Sequence, residues 1–133
     1  METRAVNKYI QHSSKKIIPM LNLVRGKRVE YALNTLHFLP NKAAKIVEGT
    51  IRSAVSNYID SEEGSKVNPE DLVIKEAYVD KGPITRRIQP RSMGRAYLIR
   101  KRTSHVTIKV GLPAEAERAQ KTKKTEKALR KKE

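Results

Sequence analysis

The chain has 133 residues and a formal net charge of +15, with 29 Lys or Arg against 14 Asp or Glu. Apolar residues make up 38% of the sequence, with one Phe and no Trp, so the length allows one domain with a modest core. The lack of cysteine excludes disulfides, thiolate catalysis and Cys-ligated metals, and no apolar run approaches the ~20 residues that span a bilayer. Because a signal-peptide pattern is also missing, we expect a soluble, intracellular protein whose partner is anionic, either nucleic acid or a membrane surface.

The first part of the chain is predicted to be a short strand followed by a helix. Residues 6–10 are spaced for a brief strand. Ser13 and Ser14 are plausible N-caps of a first helix that ends at Gly26. Pro19 lacks an N–H, so it should either kink this helix or delay its start to about residue 18.

Two further helices are predicted from apolar residues that recur at helical spacing. The second helix ends at Leu39-Pro40, and Asn41 is the expected N-cap of the third. The apolar face of the second comprises Val29, Ala32, Leu33 and Leu36, and that of the third comprises Ala44, Val47, Ile51, Ala54, Val55 and Tyr58. An acidic, turn-rich link follows at residues 60–71.

The second half of the chain changes to strand periodicity. Residues 72–79 are rich in strand formers, and Val106, Ile108 and Val110 alternate with polar residues. These strands bracket a polar stretch, which predicts a β-hairpin projecting about 25–35 Å, with its tip near residues 88–90. Gly82 and Gly94 are the expected hinge points of its arms. A hairpin of this length is marginal in water, so its stability should come from its surroundings.

The stretch between the two strands is strongly basic. Residues 81–114 contain nine Lys or Arg and no Asp or Glu, so the arginines have no neighbouring carboxylate to pair with. Arginine suits forked contacts with phosphate and stacking on bases, which favours nucleic acid as the partner. The cations of the outgoing arm and tip are Arg86, Arg87, Arg91 and Arg95, and those of the returning arm are Arg100, Lys101 and Arg102, with His105.

Basic and aromatic residues elsewhere allow more than one interpretation. Lys15 and Lys16 suit either phosphate contact at a helix start or plain solvent exposure. Arg25 and Lys27 flank a helix C-terminus, where the dipole alone favours cations. Tyrosines on paired strands often brace one another, which we favour for Tyr78, whereas Tyr97 could brace the hairpin or stack on a base.

No group of residues predicts catalysis. The three histidines, His12, His37 and His105, have no spacing that indicates a metal site or a catalytic triad. Glu62 and Glu63 lie in the polar link and resemble a solvated turn, and no phosphate-binding glycine pattern is present. We therefore expect no enzymatic activity, no metal and no cofactor.

Six segments of the chain carry a recognisable pattern. They are LVRGK (23–27), NKAAK (41–45), SAVSN (53–57), KEAYVDKGP (75–83), RIQPRSMGRA (87–96) and IRKRTSHVT (99–107). Together they cover about residues 5–111 and resemble the family of large-subunit ribosomal protein twenty-two. The resemblance implies an α+β fold, with three helices packed on a small three-stranded antiparallel sheet and a long protruding β-hairpin. Residues 1–111 would form a single domain with the hairpin at about 80–100, followed by a basic extension, 112–133, that is disordered alone or ordered by RNA.

The resemblance also implies a function. Family members are cytoplasmic structural constituents of the large ribosomal subunit that bind its rRNA, aid its assembly and line the nascent-peptide exit tunnel with the hairpin. The implied partners are large-subunit rRNA, neighbouring ribosomal proteins at the tunnel and the nascent peptide. Charge and resemblance together give as rRNA-binding candidates Lys15, Lys16, Arg25, Lys27, Arg86, Arg87, Arg91, Arg95, Arg100, Lys101, Arg102 and His105. The tunnel-lining tip would comprise Thr85, Arg86, Arg87, Ile88, Gln89, Pro90 and Arg91. The alternative is a free-standing RNA- or DNA-binding regulator.

Overall fold

The computed structural model describes residues 2–61 and 67–113, which form three helices and a three-stranded sheet. The elements are β1 (Glu2–Ile10), α1 (Ser14–Val24), α2 (Val29–Phe38), α3 (Lys42–Ile59), β2 (Val73–Pro90) and β3 (Ala96–Gly111). The expected α+β architecture is confirmed. Most of the predicted basic extension, from residue 114 onward, and residues 62–66 of the acidic link lie outside the described residues.

The sheet is antiparallel, with β3 in the centre and the strand order β1-β3-β2. β1 pairs only with the second half of β3, from Ser104 to Gly111, whereas β2 pairs with β3 from end to end. Beyond the helical body, β2 and β3 therefore continue alone as the two arms of the hairpin.

The core lies between one face of this sheet and the three helices. The helices bury one stripe each, including Ile17 and Leu21 of α1, Leu36 of α2 and Ile51 of α3. The apolar faces predicted for α2 and α3 are confirmed, as is the alternation in β3, where Val106, Ile108 and Val110 are fully buried. The core also takes in Leu112, just past the last strand.

α1 begins at Ser14 and keeps Pro19 inside it, so a delayed start of this helix is wrong. Pro19 and Lys15 are exposed, and the Lys15 carbonyl that loses its helical partner can bind water instead. At the other end, Gly26 adopts φ 74° and its N–H donates to the Ile74 carbonyl oxygen at 2.9 Å. The end of α1 is thereby docked onto β2.

The turn of the hairpin lies further along the chain than predicted. Residues 88–90 pair with residues 96–98, so the expected tip near 88–90 is wrong. The chain reverses between Arg91 and Arg95, where the Arg91 N–H donates to the Arg95 carbonyl oxygen at 2.8 Å. Met93 and Gly94 both have positive φ, 59° and 67°, and make the reversal. Gly94 thus belongs to the turn rather than to a hinge of an arm.

An irregular joint marks the place where the arms leave the body. The register of β2 against β3 shifts between Lys81 and Ile84. A Cβ on Gly82 would lie 2.5 Å from Thr103 Oγ1 and 3.2 Å from the Thr103 carbonyl carbon, so only glycine allows this approach. Thr103 Oγ1 also donates to the Pro83 carbonyl oxygen at 2.7 Å. Gly82 therefore has a steric role at the base of the hairpin, and its predicted role as a hinge of the arm stays a prediction.

Candidate nucleic-acid interface

The hairpin arms carry positive charge that the chain itself does not neutralise. Within residues 2–61 and 67–113, none of the Lys or Arg between positions 81 and 102 forms an ion pair. The arms even oppose like charges, since Arg86 lies directly across from Arg100. Like charges facing each other across two strands are destabilising until an anion neutralises them.

The body, in contrast, neutralises some of its cations by ion pairs. Lys75 Nζ lies 2.9 Å from Glu2 Oε1, and Arg52 Nη2 lies 2.6 Å from Glu48 Oε1. Lys109 Nζ lies 2.6 Å from Glu76 Oε2, and this hydrogen bond raises the pKa of the Lys109 ammonium group above its ordinary value. Among the described residues, the hairpin arms therefore carry cations without ion pairs throughout, whereas the body has both paired cations and unpaired ones such as Lys15, Lys16 and Lys42.

The two faces of the arms differ in chemistry, because neighbouring residues of a strand point to opposite faces. One face begins with the Arg86–Arg100 pair and continues towards the turn with Ile88 opposite Leu98. Those two apolar side chains are 70% and 58% exposed. The other face pairs Arg87 with Ile99 and Gln89 with Tyr97. Both faces of the hairpin thus lack a partner within the described chain.

A groove lies where the arms meet the start of α1, and we call it the root groove. Its volume is about 490 Å³, and residues 11–13 form part of its wall. Among the described residues, five cations and no carboxylate line it. These cations are Lys16, Arg87, Arg100, Lys101 and Arg102. The structure thereby brings one of the two predicted helix-start lysines together with four predicted hairpin residues.

A second groove, of about 460 Å³, lies beside it between the first turns of α1 and α3, and we call it the helix-end groove. Lys15, Lys16 and Lys42 line it together with Asn41 and His12. Sequence reasoning did not select Asn41, Lys42 or His12 as ligands. The only signal was that α1 and α3 both open with basic residues, and nothing in the sequence shows that these two helix ends meet.

The turn of the hairpin forms a third, open depression. Arg91, Ser92, Arg95 and Tyr97 line it. Tyr97 lies opposite Gln89, so it does not brace Tyr78, which lies opposite Thr107. Tyr97 is 55% exposed beside the two arginines, an arrangement that suits stacking on a base next to a phosphate.

Two of the predicted ligands, Arg25 and Lys27, contact their own chain. The Arg25 guanidinium donates from Nε at 3.1 Å and from Nη2 at 2.5 Å to the Ala77 carbonyl oxygen of β2. Lys27 Nζ lies 5.9 Å from the centre of the Tyr31 ring, in a cation–π arrangement. Both side chains therefore help to fix the end of α1 and the start of α2.

We expect Arg25→Ala to lower the free energy of unfolding by about 1–2 kcal/mol, because two charged hydrogen bonds to Ala77 are lost. Arg25→Lys keeps the charge without the forked donor and should lose most of this stability as well. Urea denaturation of the full chain without RNA measures both. If stability is unchanged while RNA affinity falls, Arg25 is a phosphate ligand rather than a structural residue.

His105, another predicted ligand, is also engaged within the fold. Its Nδ1 accepts a hydrogen bond from the Tyr9 N–H at 3.0 Å, and the two rings meet edge-on at 4.9 Å. Tyr9 has φ 55° at an irregularity in the β1–β3 pairing, so His105 stabilises an unusual backbone conformation there. Its neighbour Ser104 donates from Oγ to the His12 carbonyl oxygen at 2.8 Å, which ties β3 to the segment leading into α1.

Residues 2–61 and 67–113 offer neither a metal site nor a membrane-spanning helix. Across residues 2–61 and 67–113, no three His, Asp or Glu side chains gather closely enough to hold a metal ion. Among those residues, none of the helices has the length and apolar character needed to cross a bilayer. The concave surfaces around the hairpin are cationic instead.

The fold and its cationic hairpin can be compared with known proteins. Residues 5–111 match the family model described as Ribosomal protein L22p/L17e. The chain belongs to this family. Members of the L22p/L17e family are structural, non-enzymatic components of the ribosome. Membership in this family confirms the predictions that the chain is a ribosomal protein and is not an enzyme. The resemblance drawn from the six sequence segments is confirmed as well.

Curated relatives in the L22p/L17e family share nearly half of their residues with the chain. It is 43% identical over 110 residues to the Large ribosomal subunit protein uL22 of Desulforamulus reducens, covering 83% of this chain and 95% of that protein. The protein of the same name from Halothermothrix orenii is 46% identical over 110 residues, covering 83% and 95%. That of a Synechococcus strain is 45% identical over 118 residues, covering 89% and 93%.

Proposed function

We propose that this chain is a structural constituent of the large ribosomal subunit in the cytoplasm, where it binds large-subunit rRNA and aids its assembly. The names of its relatives support the large subunit as its location. The observation that carries the rRNA-binding role is the hairpin, whose cations have no ion-pair partners within residues 2–61 and 67–113. Folded RNA supplies the dense phosphate charge that such an array requires.

Exposure on both faces of the arms favours folded RNA over a flat anionic surface. From Ile84 to Ile88 and from Gly94 to Leu98, every residue is exposed. A two-stranded ribbon without a core is marginal in water, so it needs contacts on both faces to be held in one shape. A membrane surface could cover only one face, whereas RNA helices can enclose the hairpin on all sides.

The proposal includes a role for the distal hairpin in the nascent-peptide exit tunnel. In this role the residues from Thr85 to Arg91, together with the turn around Met93, face the tunnel, the nascent peptide and neighbouring ribosomal proteins. Met93 is 92% exposed at the reversal of the chain. An apolar tip side chain flanked by Arg91 and Arg95 combines a surface for peptide with two phosphate ligands.

We expect binding of the full chain to a large-subunit rRNA fragment to weaken steeply with salt. If about ten phosphates are neutralised, log affinity against log salt should have a slope of about −7 to −9. Filter binding or fluorescence anisotropy from low to moderate salt measures it. A slope shallower than about −2 would contradict a role carried by phosphate contacts.

Duplex DNA provides the matched comparison for that measurement. The hairpin offers no helix shaped for a major groove, so we expect markedly weaker binding to duplex DNA than to the rRNA fragment at equal salt. Equal affinity for both would favour the free-standing nucleic-acid-binding regulator instead.

A further inference from the structure

We propose that the root groove and the helix-end groove form one continuous anchoring site for the sugar–phosphate backbone of a single RNA strand. The strand would run from the hairpin arms across Lys16 to Lys42. This inference rests on the proposed RNA-binding function and adds a site at the junction of the body and the hairpin arms, away from the turn of the hairpin.

The two grooves are continuous because they share wall residues. Lys16 and His12 line both of them. On one side of Lys16 the surface is made by the hairpin arms, and on the other side by the start of α3. The two grooves therefore adjoin at Lys16 and His12, and a polymer in the root groove needs to pass only these two residues to reach the helix-end groove.

The lining of the combined site matches a polyanion. The helix ends supply Lys15, Lys16 and Lys42, and the arms supply the four remaining cations of the root groove, whereas no carboxylate of residues 2–61 or 67–113 lines either groove. Ser13 and Asn41 add hydroxyl and amide groups that can bond to phosphate or to a ribose 2′-hydroxyl. A single phosphate would occupy one groove, and only a polymer can use both.

The part of this site on α1 and α3 is held in shape by the core, unlike the part on the arms. Ile17, which follows Lys16, is completely buried, and Ala43 and Ala44, which follow Lys42, are 4% and 0% exposed. The hydrogen bond from Ser104 Oγ to the His12 carbonyl oxygen fixes the loop between the two grooves. Because the backbone is positioned before RNA arrives, binding here loses less conformational freedom than ordering the arms.

The test compares two pairs of substitutions that remove the same charge from the full chain. Lys16→Gln with Lys42→Gln removes two cations of the site, and Arg4→Gln with Lys8→Gln removes two exposed cations of β1 outside both grooves. If each site lysine neutralises one phosphate, the first pair should lower affinity for a large-subunit rRNA fragment about 25- to 60-fold at 0.1 M salt. The salt slope should become shallower by about 1.4–1.8, and the control pair should change both much less.

The outcomes distinguish the anchoring site from general charge attraction and from the proposed function. Equal losses for the two pairs would mean general charge attraction and would overturn the anchoring site. A third pair, Arg86→Gln with Arg91→Gln, lies on the distal arms outside both grooves. If this pair weakens binding and the groove pair does not, the anchoring site is wrong and the proposed function stands. If no pair weakens binding, both are wrong. Thermal melting of every variant confirms that these exposed substitutions leave the fold intact.

Discussion

Replacing residues 85–101 by Asn-Gly is expected to lower affinity for large-subunit rRNA by about 10⁴- to 10⁵-fold at 0.1 M salt. The deletion removes six cations, Arg86, Arg87, Arg91, Arg95, Arg100 and Lys101. Ile84 and Arg102 are cross-strand partners, so a two-residue turn can join them without changing the register. Affinity titration of the shortened and the full chain measures the loss.

The shortened chain is expected to keep its fold, because none of residues 85–101 is buried in the core. Its thermal unfolding should remain cooperative and close to that of the full chain. The control keeps the hairpin at full length and replaces the same six cations by Gln, which should reproduce the loss of affinity. Strong binding by that control would show that the shape of the hairpin, rather than its charge, holds the RNA.

Gly82→Ala is expected to lower the free energy of unfolding by about 1–3 kcal/mol, because the new methyl group overlaps Thr103. Gly49→Ala is the matched control, since nothing lies within 4 Å of a Cβ there and Gly49 sits inside α3. The same substitution at that position should raise stability by about 0.5–1 kcal/mol. Urea denaturation of both variants should therefore show shifts of opposite sign.

A double-mutant cycle locates the cause of the Gly82 effect. Thr103→Ala removes Oγ1, the atom that would lie 2.5 Å from a Cβ at position 82, and also its bond to Pro83. We expect Gly82→Ala to cost less in that background than in the natural sequence, with a coupling of about 0.5–3 kcal/mol. Additive effects would mean that the close approach to Thr103 is not what requires glycine.

Local patterns were sufficient to predict most of the body. The buried stripes of α2 and α3 follow the 3.6-residue period, and the alternation of Val106 and Ile108 marks the inward face of β3. The basic surface could be predicted because residues 81–114 contain no Asp or Glu. These features depend on residues that are close together in the sequence, so they can be predicted without knowing the fold.

The position of the turn could not be obtained in the same way. Pro90 favours a turn in sequence, yet each arm is an edge strand, where proline is tolerated as the last residue of a strand. The reversal instead depends on positive φ at Met93 and Gly94, and methionine gives no signal for that conformation. The predicted tip was therefore placed too early.

Contacts between segments that are distant in the sequence could not be predicted either. The fork from Arg25 to the Ala77 carbonyl oxygen joins residues 52 positions apart, and the bond from Tyr9 to His105 joins residues 96 positions apart. Both arginine and histidine were predicted as RNA ligands because their types suit phosphate. Their engagement with the backbone, and the meeting of Lys16 with Lys42 across the grooves, arise only from the packing of the helices on the sheet.

The continuity of β3 has a mechanical consequence. The strand that forms the returning arm is also the central strand of the sheet, bonded to β2 on one side and to β1 on the other. Tension applied at the turn along the arms would be carried directly into the middle of the body. Pulling β3 out would require rows of hydrogen bonds on both of its sides to slide and break together. The hairpin is thus attached at the most mechanically resistant position that a three-stranded sheet provides.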